Sequence, residues 1–104
     1  MGELKTGFVH TVFFWLKEKN NESHQKQLKE GLFKLSQISE IREAYIGKPA
    51  DTNRPVIDSS YNLSVTFIFD NKNDQDVYQE HPDHHVFIAE NSHLWDSVKV
   101  FDAC

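Results

Sequence analysis

Tyr61-Asn62-Leu63-Ser64-Val65-Thr66-Phe67-Ile68-Phe69 alternates large apolar side chains with small polar ones and is flanked by Ser59-Ser60 and Asp70-Asn71. Period-two alternation in β-branched and aromatic residues, bounded by turn formers, reads as a strand. Tyr61, Leu63, Val65, Phe67 and Phe69 share one face, which must be covered; Asn62, Ser64 and Thr66 take the other.

A second strand, Phe8-Val9-His10-Thr11-Val12-Phe13-Phe14-Trp15-Leu16, differs in being substantially apolar on both faces. Phe8, His10, Val12 and Phe14 alternate with Val9, Thr11, Phe13 and Trp15, so each side of the sheet needs a cover. Between the two strands, Asn20-Asn21-Glu22-Ser23 supplies helix-capping residues, and Leu28, Leu32, Leu35 and Ile38 recur at helical spacing. The remaining Lys, Gln and Glu positions form a solvated face. Gly31 is the exception, costing up to about 1 kcal/mol against alanine and leaving room above it. Ile41 to Ile46 has strand character and ends at Gly47-Lys48-Pro49, and Ala50 to Ser60 is a loop. After Phe69, a short helix is expected from Gln75 to Glu80. It is broken at Pro82, where a further helix starts and runs towards Ser92, because proline suits a first helical position. Ser97 to Phe101 is the last strand.

The order β-α-β-β-α-β is that of an α+β, ferredoxin-like sandwich, a four-stranded antiparallel sheet with helices on one face. The helices are expected on the face of Tyr61, Leu63 and Val65. The opposite face, carrying Phe13 and Trp15, is then left for the sheet of a second copy of the chain, so a face-to-face homodimer is expected.

Composition narrows the partners. The 104 residues form one expected domain, 1–104. With 11 basic residues against 16 acidic and no basic cluster, nucleic acid and a polybasic membrane contact are set aside. Phe8 to Leu16 is far short of the roughly 20 apolar residues of a membrane helix, and a charged run rather than a small-residue cleavage site follows it. The only cysteine is Cys104, so no disulfide or CxxC site is expected, and the default address is cytoplasmic.

Chemistry is concentrated in Glu80-His81-Pro82-Asp83-His84-His85-Val86-Phe87. Tyr78 and His84 flank the break at Pro82, and His10 lies on the helix-facing side of the first strand, so the three are expected to approach one cavity. An imidazole of near-neutral pKa beside a phenol donor is a workable pair for enolising a carbonyl compound. The competing role for His84 is structural, bonded to Asp83, Tyr61 or a backbone carbonyl. His85 points away by helical rotation, and His24 and His93 are expected at the surface. His81 and His85 have a four-residue metal spacing beside Glu80, yet no third ligand follows at a fixed offset. The Ala50 to Asp58 loop has no spacing indicating magnesium. No metal and no cofactor are expected.

Five short patterns in order, His10 to Lys17, Tyr45 to Lys48, Val65 to Phe67, His81 to His84 and Val100 to Asp102, resemble the stress-responsive dimeric α/β-barrel (Dabb) proteins over nearly the whole chain. The resemblance implies a homodimer whose sheets close into a barrel and a cavity between sheet and helices. From the family's olivetolic acid cyclase it implies catalytic positions at His84, assisted by Tyr78, and pocket positions at His10 and Trp95. Tyr61 and Gly31 depart from that enzyme, which has histidine and tyrosine there. Tyr61, Leu63 and Phe87 are added as expected ligand contacts from their place on the covered face and the second helix.

Three functions follow, in order. The first is a homodimer with a small apolar pocket for a small apolar or polyketide-like ligand. The second is an enzyme, either a polyketide-cyclase-like lyase using His84 and Tyr78 or a cofactor-free monooxygenase-like protein. The third is a structural dimer module without ligand.

Overall fold

The structure, a computed structural model, describes residue 2 and residues 5–104. Residues 1, 3 and 4 of the expected domain lie outside the described residues. The elements are β1 (Phe8–Leu16), α1 (Glu22–Leu35), β2 (Glu43–Gly47), β3 (Leu63–Phe69), α2 (Lys72–Glu80), α3 (Pro82–Asn91) and β4 (Trp95–Ala103), with a 3-10 turn at Ser92–Leu94. The four strands form one antiparallel sheet in the order β2-β3-β1-β4, the ferredoxin-like arrangement.

Local chemistry explains the boundaries. Asn21 caps α1 by accepting the His24 N–H, and Asn71 caps α2 by accepting the Asp74 N–H. The Asn71 cap starts α2 at Lys72, three residues before the helix expected from Gln75. Between α2 and α3, His81 is held extended (φ −64°, ψ 139°), the conformation favoured before proline. Its Nδ1 accepts the Asp83 N–H at 3.0 Å, so the imidazole acts as an N-cap. α1 ends at Leu35, and Ile38 is buried by the turn that follows rather than by the helix. Ile41 belongs to that turn through a hydrogen bond to the Ile38 carbonyl, which delays β2 to Glu43.

Phe14, Leu16, Val65, Phe67 and Phe69 on the sheet pack against Leu28, Leu32 and Leu35 of α1 and against Phe87 and Leu94. Gly31 has a specific neighbour. A Cβ there would stand 2.8 Å from Asn91 Nδ2, and that amide donates to the Phe87 carbonyl, so the missing side chain lets α1 and α3 approach.

The helices cover one face only. On the other, Phe13 packs edge-on against Tyr61 and Phe101, and Tyr61 also meets Trp15. Tyr61 is therefore on the opposite face from that expected. The Asn62 side chain accepts the Leu16 N–H while its backbone N–H donates to the Phe14 carbonyl, and the chain bends there. Regular alternation begins only at Leu63, and extrapolating it back to Tyr61 puts that ring on the wrong side.

Candidate functional site

A groove of about 240 Å³ lies between the helix-facing side of β1 and β4 and the pair α2–α3. Its polar end is made by His10, Tyr78, Gln79, His84 and Asp102, its far end by Phe14, Phe87 and Trp95. Val98 and Val100 line its β4 side and are 40% and 50% exposed. A larger hollow of about 340 Å³ between α1 and α3, walled by Glu30, Lys34, Asp83 and Glu90, contains no imidazole and no phenol.

His10 and Asp102 are paired across β1 and β4, so their side chains emerge on the same face. His10 Nδ1 lies 2.6 Å from Asp102 Oδ1. A carboxylate only accepts, so Nδ1–H donates, and the neutral ring keeps its lone pair on Nε2. His10 is buried and its ring stands 5.7 Å from that of Tyr78, which in turn is 5.0 Å from His84. Burial first, and the Asp102 charge second, push the Tyr78 phenol well above its ordinary value, so it stays a proton donor. Among the described residues its hydroxyl has no hydrogen-bond partner.

His84 is half-buried at the start of α3, and its Nε2 lies 3.3 Å from Gln79 Nε2. That partner is neither of the side chains, Asp83 or Tyr61, that a structural role would have used. Desolvation lowers its pKa below the ordinary 6.5, helped by His85 and His10 and opposed by Glu80. A depressed folded value means that the unfolded chain binds the extra proton first. The stability tied to neutral His84 is present above the ordinary value and lost as pH falls through the folded one. Chemical denaturation from about pH 7 to about pH 5 should show wild type losing stability relative to His84→Asn, with no such divergence above about pH 7.

Of the expected site residues, His10, Tyr78, His84, Phe87 and Trp95 meet in this groove. Phe87 and Trp95 are stacked at 5.8 Å. Leu63 does not line it. It sits beneath a separate hollow between α1 and the end of β2, with Ile46 and Lys48, on the same face of the sheet. Tyr61 is excluded by its face. Asp102 and Gln79 lie outside the set of residues expected to form the site. Asp102 lies one residue beyond the strand expected to end at Phe101, and only the β1–β4 register reveals it as the partner of His10. His85 and His93 are exposed, whereas His24 is only partly so, with Nδ1 3.6 Å from Glu18. No group of three or more His, Cys, Asp or Glu side chains is arranged to hold a metal ion among the described residues. No helix among them is long and apolar enough to cross a membrane.

An antiparallel ferredoxin-like subunit with an imidazole–carboxylate pair in a groove under its helices is the class of protein that fold and site define. The chain belongs to the stress responsive A/B barrel domain (Dabb) family, which it matches over residues 8–104. No curated protein matches it. Among solved structures it is similar to a Dabb protein of ferredoxin-like fold from Mesorhizobium loti (22% identity, 95% of this chain and 97% of that one, TM-score 0.77). A dimeric ferredoxin-like protein of unknown function from Thermobifida fusca is 20% identical over 94% of this chain and 90% of its own, with TM-score 0.75. A hydroxynitrile lyase from Passiflora edulis is 19% identical over 92% of this chain and 90% of its own, with TM-score 0.74.

Proposed function

We propose that this chain is a homodimeric small-molecule binder that holds a compact apolar carbonyl compound in the groove under α2 and α3. The observation that carries this reading is the His10–Asp102 pair, 2.6 Å apart and mostly buried on the histidine side, at one end of an otherwise apolar groove. The pair keeps an imidazole lone pair available, and the protonated Tyr78 hydroxyl supplies a donor for an oxygen. Phe87, Trp95 and Phe14 provide apolar area for the rest of the ligand. The dimer reading is supported by the uncovered aromatic face of Phe13, Trp15, Tyr61 and Phe101 and by the dimeric likeness from Thermobifida fusca.

A second reading is acid–base catalysis at the same site, of the cyclase or lyase kind, with His84 and Tyr78 as its catalytic groups. It is favoured by one observation, His10 with its Nδ1 committed to Asp102 lining the same groove as Tyr78 and His84: the free nitrogen of His10 withdraws a proton next to a carbonyl while Tyr78 and His84 act as the acids that stabilise the resulting enolate oxygen. The hydroxynitrile lyase of Passiflora edulis has the same fold and is consistent with such use.

The test is a titration of the uniformly ¹⁵N-labelled protein with β-diketones and β-polyketone thioesters, read by amide and imidazole shifts. Saturable shifts at His10, Tyr78, His84 and Trp95 are expected; shifts confined to other surfaces would reject the groove. If turnover of a thioester is found, His84→Ala should abolish most of it while binding persists. Asp102→Asn should then lower the rate by about 10²-fold or more by disturbing the His10 tautomer.

A further inference from the structure

We infer that Gln79, backed by Gln75, is a positioning residue that sets the tautomer of His84 and makes it a hydrogen-bond donor, not a base, in the resting groove. The inference deepens the reading of the groove given above and rests on His84 facing the ligand. Three side chains are joined in line. Gln75 Nε2 donates to Gln79 Oε1 at 3.1 Å, and Gln79 Nε2 is 3.3 Å from His84 Nε2. Gln75 is buried in α2, so its amide is a fixed end for the line, while Gln79 is one helical turn further on at the groove.

An amide NH₂ has no lone pair to offer, so it bonds His84 Nε2 only when that nitrogen is unprotonated. The proton of the neutral ring then sits on Nδ1. With the Tyr78 hydroxyl, the Nδ1–H of His84 makes two donors among the residues that line the groove, and the imidazole acceptor among them is Nε2 of His10, whose own Nδ1–H is committed to Asp102. The division of labour is consequently asymmetric: His10 takes a proton, and Tyr78 and His84 donate to oxygen. A ligand matched to this set carries a carbonyl, enolate or carboxylate oxygen next to an acidic C–H or O–H.

The same geometry couples charge to amide orientation. Adding a proton at Nε2 sets an N–H against the Gln79 NH₂, donor against donor. Gln79 must then turn its Oε1 to the ring and its NH₂ towards the NH₂ of the fixed Gln75, which breaks the Gln75–Gln79 hydrogen bond. Burial and the neighbouring His85 and His10 already disfavour that proton, Glu80 favours it, and the relay acts in the direction of the first group.

The experiment is long-range ¹H–¹⁵N correlation on protein labelled with ¹⁵N-histidine, without any ligand, across the histidine titration. For wild type, His84 is expected as the Nδ1–H tautomer above its pKa. Gln79→Ala should return it to the Nε2–H form that imidazoles prefer in water and raise its pKa. Gln79→Glu should raise its proton affinity at least tenfold, because a carboxylate accepts from Nε2–H. Gln79 is exposed, so both variants should keep the fold, checked by amide dispersion. An Nε2–H tautomer in wild type, or a Gln79→Ala protein with unchanged tautomer and pKa, overturns the inference. Because no ligand is used, a failed β-diketone titration with the expected tautomer would reject the functional reading alone.

Discussion

Replacing Phe67 by alanine is expected to destabilise the protein by about 3–5 kcal/mol, the cost of removing a fully enclosed phenylalanine and leaving a cavity. Phe67 has no exposed surface and lies in β3, one of the two central strands. Its ring is 5.6 Å from that of Tyr78, so the same side chain that seals the core also backs the groove. Relaxation is restricted there, since α1 is drawn close by the Gly31–Asn91 contact and the sheet neighbours are hydrogen-bonded on both sides. Against a typical total of about 5–15 kcal/mol, the loss is large. Urea unfolding at one fixed protein concentration measures it, fixed because the proposed dimerisation would link stability to concentration. A loss below about 1 kcal/mol would mean that Phe67 is not packed as described.

The second large effect is expected on assembly. Phe101→Glu should convert the proposed dimer to monomer at micromolar concentration, measured by sedimentation equilibrium. Phe101 is 59% exposed in the single subunit, so the subunit itself loses little. In a two-fold interface each substitution counts twice. Fully burying one phenylalanine is worth about 1.5–3 kcal/mol, so the still exposed part of the pair amounts to about 2–3.5 kcal/mol, or roughly 30- to 400-fold in dissociation constant. The carboxylates left between the sheets add to the penalty. A variant that remains dimeric with wild-type affinity would exclude the face of Phe13, Trp15, Tyr61 and Phe101 as the interface.

The histidine-rich stretch Glu80–Phe87 has dispersed roles. His81 caps a helix, His84 faces the groove, and His85 faces solvent. Their difference in role comes from the break before Pro82, which was visible in the sequence, and from the neighbours each ring meets, which were not.

What the sequence determined by itself is the order of elements and the family, because each rests on local rules: alternation at Leu63–Phe69, helical spacing at Leu28, Leu32 and Leu35, and a proline start at Pro82. It also determined that β1 would need covers on both sides, and the pattern around Pro82 together with the face of β1 that carries His10 is enough to point to His10, Tyr78 and His84 as neighbours. Tertiary structure decided the rest. The bend at Asn62, made when its side chain takes a backbone N–H of β1, sent Tyr61 to the open face. The register of β1 against β4 brought Asp102 to His10 from 92 residues away. Gln79 meets His84 because the α2–α3 turn closes around Pro82. The first two depend on which atoms of distant segments meet and the third on the geometry of one turn, and a hydrophobic pattern carries no information on either.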